Sequence, residues 1–211
     1  MRGGLPDGAA AENRSGPTTL RPYSRELTSV AHKFEARVYD LDGTLVRLDV
    51  DWEQAASDVV AVYEDAGHDV DPDRDLWDLV NEAGRHAVRE DVEAVLSEHE
   101  RAGAENSEAL PLADEVDSTR DPIGVCSLNC EDAVETALEK HGLHRYVNSL
   151  VARDTLKEQK PNPTPLLEVL DRMGATPVST VFIGDSASDE EAAQRAGIPF
   201  QWVEDRLQQR H

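Results

Sequence analysis

The sequence predicts an α/β fold, a doubly wound parallel sheet of Rossmann-like type, with a small helical domain inserted after the first strand. Three observations predict it. From Pro122 onward short apolar runs alternate with helical patterns, the signature of βα units and a parallel sheet. A single apolar run, residues 36–40, stands apart near the start. Between these, residues 51–104 carry helical periodicity alone. The resulting organisation is a core of residues 34–47 and 109–211, a helical cap over 48–108, and a disordered tail over 1–33.

Each element has its own reason. The tail, beginning MRGGLPDGAAAENRSGPTTLRP, is rich in Gly, Pro and polar residues and offers little apolar surface against the entropy of ordering. A short strand runs from about Ala36 into Asp40. Trp52, Ala55, Ala56, Val59, Val60 and Tyr63 make one apolar stripe at helical spacing, and GHDVDPD breaks that helix from the next. Leu76, Leu79, Val80 and Ala83 repeat the spacing, as do Val88, Val92, Val95 and Leu96. IGVCSL (123–128) is a strand, followed by a helix with Val134, Ala137, Leu138 and His141 inward and Gly142 as its stop. NSLVAR (148–153) is a further strand. Asn162 and Pro163 supply an N-cap and first turn for a helix carrying Leu166, Val169, Leu170 and Met173, closed by Gly174. TVFIGD (180–185) is a buried strand, Ser188 with Glu191 a capping box for a helix ending at Gly197, and PFQWV closes the sheet.

The composition narrows the function classes. Acidic residues number 43 against 21 basic ones, a formal charge of −22, and only four of the cations are lysines. Such a surplus destabilises a compact chain by self-repulsion, and molar salt, with a Debye length of about 3 Å, screens it. This acidic, lysine-poor composition resembles that of proteins working in a salt-saturated cytoplasm, as in halophilic archaea. No basic face is available to neutralise phosphates of a nucleic acid. Cys126 and Cys130 give no disulfide framework, and no apolar run approaches a membrane span or a signal peptide. The expectation is a cytoplasmic protein, monomeric or a weak homodimer.

In open α/β sheets ligands bind at the carboxyl ends of the strands, and Asp40, Ser127 and Asp185 each stand at such an end. Four segments carry the chemistry: DLDGTLV around Asp40 and Asp42, GVCSLN at Ser127, KPNP at Lys160, and GDSASD from Gly184 to Asp189. Together, in this order, they resemble the four motifs of the haloacid dehalogenase superfamily, most of whose members are magnesium-dependent phosphatases. The resemblance spans about residues 36–203. It implies that Asp40 is the nucleophile, forming an aspartyl-phosphate, and that Asp42 is the general acid and base. It implies that Ser127, the adjoining Leu128 and Lys160 hold phosphate oxygens. Mg²⁺ would be bound by Asp40, the main-chain carbonyl of Asp42, and Asp185, with Asp189 orienting metal-bound water or Lys160.

In that superfamily an insert at this position is a small cap, so the resemblance implies a small phosphorylated metabolite as substrate, with phosphoglycolate phosphatase the nearest activity by analogy. Arg47, Arg85 and Arg89 are the cations expected nearest a substrate's tail, with Arg47 and Arg89 as candidate contacts. Arg47 also departs from the acidic or small residue common in relatives. A sugar phosphomutase keeps both aspartates and is the alternative within the superfamily. A receiver-like signalling domain, which stores a phosphoryl group on an aspartate, is the alternative of another class, and Asp42 and the cap speak against it.

Overall fold

The computed structural model describes residues 34–209, so the tail expected over 1–33 lies outside the described residues. In chain order, β1 (Ala36–Tyr39) is followed by the two-residue β2 (Val46–Arg47), α1 (Trp52–Asp65), α2 (Leu76–Glu82), α3 (Arg89–Glu105) and β3 (Glu108–Ala109). Then come α4 (Ala113–Ser118), β4 (Ile123–Cys126), α5 (Glu131–Lys140), β5 (Val147–Val151), α6 (Thr164–Met173), β6 (Thr180–Gly184), α7 (Ala187–Ala196), β7 (Phe200–Trp202) and α8 (Val203–Gln208).

Five of the strands form one parallel sheet in the order β5-β4-β1-β6-β7. Alternation along each strand divides the core in two. Val38, Cys126 and Phe182 face α6 and α7 on one side, with Leu166, Val169, Ala192 and Ala193. Tyr39, Val125, Val181 and Ile183 face the other side, where Val134 and Leu138 of α5 and Val116 of α4 cover them. That second face holds a polar hub. The Tyr39 hydroxyl donates to Glu115 Oε1 at 2.8 Å, and Arg206 of α8 donates to both carboxylate oxygens at 2.5 and 2.9 Å. Burial alone would raise the Glu115 pKa, but the Arg206 and Tyr39 hydrogen bonds, with the charges of Arg206 and Arg37, hold it below the ordinary value.

Helices α1 to α3 have a core of their own, in which Ala55, Val59, Val60 and Tyr63 meet Leu79, Val80, Val92 and Leu96. They leave the sheet through the antiparallel pair Val46↔Ala109 and Arg47↔Glu108, and α3 packs against α5. Asp51 caps α1 by accepting from Gln54 N, and Asp75 caps α2 by accepting from Trp77 N and Asp78 N.

Some expected details shift. The capping box of α7 is Ser186 with Asp189 rather than Ser188 with Glu191. Ser186 is the last extended residue after β6, so it, not Ser188, takes the half-in position that a cap requires. Asn162 still serves the start of α6, its Oδ1 accepting from Thr164 N at 2.9 Å, but the helix begins one residue later than the spacing suggests. Of PFQWV only Phe200–Trp202 is strand, α8 beginning at Val203, and α4 fills the stretch between the inserted helices and β4.

Candidate active site

β1 and β4 lie side by side, as do β1 and β6, so the residues that follow them meet at one end of the sheet. Asp40 is buried, and its main-chain N–H donates to Ile183 O at 2.9 Å. Lys160 reaches in from the loop before α6. Its ammonium donates to Asp40 Oδ1 at 2.7 Å, Asp189 Oδ1 at 2.5 Å and Cys126 O at 2.9 Å, which uses its three donors. Burial would favour a neutral amine, but Asp40 and Asp189 outweigh it and push the Lys160 pKa above its ordinary value. For Asp40 burial is the largest influence and raises the pKa; Lys160 opposes it, while Asp189 and Asp185 add to it.

Asp42 stands beside this pair with its Oδ1 accepting from Leu48 N at 2.8 Å. Burial lifts its pKa as well, with Asp185 adding to the rise. The turn that brings Asp42 and Asp185 together depends on Gly43, whose φ is +82°. A Cβ there would lie 2.0 Å from Asp185 Oδ2. Asp185 is the exposed member of the group, and burial and Asp189 raise its pKa too.

Carboxylate oxygens of Asp40, Asp185 and Asp189 lie within 4.8 Å of one another. With Asp42 that makes four carboxylates around one ammonium. The all-oxygen donor set and the uncompensated negative charge suit a hard divalent cation; the raised pKa values of Asp40, Asp42 and Asp185 come first from burial, to which the neighbouring carboxylates add.

Ser127 is buried just past β4. Its Oγ donates to Asn129 Oδ1 at 3.0 Å and accepts from Asn129 N at 3.1 Å, which turns the 127–129 loop back on itself. A second buried network lies behind that loop. Glu100 of α3 accepts from Cys130 N at 2.9 Å and from the Arg153 guanidinium, and Arg153 also donates to Leu128 O at 3.0 Å. Burial disfavours the Arg153 charge, but Glu100 and Glu93 more than restore it. The inserted helices are thus fastened to the core directly beneath the 127–130 loop.

A cavity of about 290 Å³ collects most of these groups, with Asp40, Asp42, Leu128, Lys160, Asp185 and Asp189 in its wall. Ser127 sits behind it, joined through Asn129, which is in the wall. Arg47 is elsewhere: it lines a separate cavity of about 240 Å³ with Leu48, Asp49 and Glu108. Arg89 lines a neighbouring cleft of about 280 Å³ with Lys157 and Arg195, which shares Lys160 with the main cavity.

Sequence reasoning missed four residues of the site and its support: Asn129, Trp77, Glu100 and Arg153. Trp77 carried a signal, being one of only three tryptophans, placed just past a capping aspartate.

Comparison with known proteins agrees with the fold and shows the family. The family model for haloacid dehalogenase-like hydrolases matches residues 38–203. Phosphoglycolate phosphatase of Escherichia coli (strain K12) is 36% identical over 78 residues, covering 37% of this chain and 31% of that protein. Phosphoglycolate phosphatase of Rhodospirillum rubrum is 36% identical over 77 residues, covering 36% of this chain and 32% of that protein. The chain thus matches about a third of the length of these curated relatives. Among solved structures, CbbY from Rhodobacter sphaeroides in complex with phosphate superposes with a TM-score of 0.53 at 19% identity, covering 80% of this chain and 85% of that one. A HAD-superfamily hydrolase, subfamily IA, from Geobacter sulfurreducens gives a TM-score of 0.51 at 24% identity, over 79% and 88%.

Proposed function

The chain belongs to the haloacid dehalogenase-like hydrolase family, and from that premise we propose that it hydrolyses small phosphate monoesters through Asp40, in the manner of a phosphoglycolate phosphatase. One observation carries the reading: the buried Asp40–Lys160 contact of 2.7 Å stands in one cavity with Asp42 and Asp185. A carboxylate held by an ammonium at a strand end is a nucleophile aimed at an anion, and the same ammonium lowers the repulsion between them.

In this mechanism Asp40 attacks phosphorus, the P–O bond to the alcohol breaks, and Asp42 gives its proton to the departing oxygen. Asp42 then takes a proton from water as the acyl phosphate on Asp40 is hydrolysed, which returns both carboxyls to their starting states. The raised pKa of Asp42 supports its acid role. Ser127, Leu128 and Lys160 hold the phosphate oxygens, and Asn129 keeps the Ser127 hydroxyl in place. Mg²⁺ would be held by Asp40, Asp185 and the main-chain carbonyl of Asp42, with Asp189 close behind, and would supply the positive charge that the carboxylates and phosphate lack.

The inserted helices act as the cap over this site. The charge of −22 supports a working environment of concentrated salt. On the same reading the enzyme is cytoplasmic, acts on a metabolite rather than a nucleic acid, and is a monomer or weak homodimer. No helix among the described residues is long and apolar enough to cross a membrane.

The test is phosphate release from a panel of esters with Mg²⁺ in molar KCl, comparing the native protein with Asp40→Asn. Release by the native protein alone is expected. Equal release by Asp40→Asn would remove Asp40 from the mechanism, and no release from any ester would refute the phosphatase reading.

A further inference from the structure

Two of the three tryptophans stand in the wall of the catalytic cavity. Trp52 is the first residue of α1 and Trp77 the second of α2, and both line the same space as Asp40 and Lys160. Their ring centroids are 6.1 Å apart and their planes tilted by 50°. Each is half-buried, one part packed on the core of the inserted helices and the rest turned outward. Neither hangs from a loose loop, because Asp51 and Asp75 cap the helix turns that carry them.

The charges in the cavity point the same way. Its one lining cation, Lys160, already has three acceptors, Asp40, Asp189 and Cys126 O. Arg89 and Lys157 line the neighbouring cleft rather than this cavity. With Lys160 and the proposed Mg²⁺ both committed to the phosphate end, a leaving group bearing a carboxylate close to phosphorus, as in phosphoglycolate, would meet Asp42, Asp185 and indole rings, with no further cationic side chain lining the cavity. An uncharged ring would instead cover apolar aromatic surface and leave the carboxylates to the phosphate end.

Resting on the phosphatase reading, we propose that the substrate's leaving group is an alcohol bearing an uncharged ring, a sugar or a nucleoside, whose ring stacks against Trp52 and Trp77, and that these two residues set specificity. A base stacked on an aromatic side chain gains about 1–3 kcal/mol, and a sugar presents its apolar C–H face to the same surface.

The test is steady-state kinetics with hexose and pentose phosphates, nucleoside monophosphates, glycerol phosphate and phosphoglycolate, on native protein, Trp52→Ala, Trp77→Ala and the corresponding Phe variants. Ring esters are expected to exceed both acyclic esters in kcat/KM by about tenfold. Each Ala variant should raise KM for ring esters by about tenfold with little change in kcat, a clearly larger loss than on the acyclic esters, and be rescued by Phe. The sugar and nucleotide arms identify which ring is used. Preference for phosphoglycolate, or equal losses on ring and acyclic esters, would overturn the proposal while leaving the phosphatase reading intact.

Binding is read separately, by tryptophan fluorescence of an Asp40→Asn, Trp202→Phe protein titrated with ring and acyclic monophosphates. Quenching by ring ligands alone supports the stacking site even if no ester is turned over. Absence of selective quenching refutes it.

Discussion

Replacing Arg153 by Met tests how the inserted helices are held to the core. The Arg153 and Glu100 side chains are both fully buried, with 0% exposure. Removing the guanidinium leaves the Glu100 carboxylate with Cys130 N at 2.9 Å and a long contact to Asn129 Nδ2 at 3.4 Å, and with no opposing charge in contact. Losing one partner of such a pair costs about 3–5 kcal/mol. For a folded unit of this size that is a fall in Tm of roughly 6–20 °C. The partly exposed contact with Glu93, at 24% exposure, adds little. Because the pair is buried, 2 M KCl should leave most of the loss in place.

The decisive comparison is the double variant Arg153→Met, Glu100→Leu, followed by thermal and urea unfolding. With both charges gone, the site becomes an apolar contact of similar volume, and the double variant should be more stable than Arg153→Met alone, with a coupling of about 2 kcal/mol or more. Strict additivity of the two single losses, or a single loss under about 1 kcal/mol, would refute the reasoning.

Three further outcomes follow from the geometry. Gly43→Ala places a Cβ 2.0 Å from Asp185 Oδ2 at a φ of +82°, so stability should fall by about 1–2 kcal/mol and phosphate release by at least about tenfold; undiminished release would show that the turn does not position Asp185. Exhaustive chelation should abolish turnover and Mg²⁺ restore it, with Asp185→Asn raising the Mg²⁺ concentration needed for half-maximal rate; chelator-resistant turnover would contradict the metal reading. Glu115→Gln should cost about 1–3 kcal/mol at pH 7, measured by urea unfolding. Since the folded pKa of Glu115 is depressed, its contribution is fully present above the unfolded value of about 4.3 and lost as pH falls through the lower folded value, so variant and native protein should converge only in that acid window.

The sheet was legible because its strands are short apolar runs set between helices that stop at glycine. Gly174 and Gly197 both take left-handed conformations at helix ends, as the pattern of stops implied. What escaped were elements too short to carry a period. The helices α4 and α8 have six residues each, less than two turns, and their places depend on the Glu115–Arg206 contact across 91 positions. The shift of the α7 capping box was also beyond local reading. Residues 186–191 offer two overlapping Ser-x-x-acid pairs, Ser186–Asp189 and Ser188–Glu191, and only the end of β6 decides between them.

The motif residues were legible for a different reason: four short segments in fixed order resemble those of a known superfamily, and Asp40, Ser127 and Asp185 follow strands. Glu100 looked ordinary by comparison, being one of several acids on a strongly charged helix. Its position was nevertheless informative. Val88, Val92 and Leu96 recur every four residues, and the next place on that stripe is Glu100, where burial calls for an apolar side chain. A carboxylate in line with an apolar stripe needs a buried cation or buried donors, and the structure supplies both in Arg153 and the Cys130 N–H. Arg153 itself could not be paired from sequence, since it lies 53 residues away. The demand for a partner was therefore written in the helix period, while the identity of the partner was written only in the fold that sets α3 against the 127–130 loop.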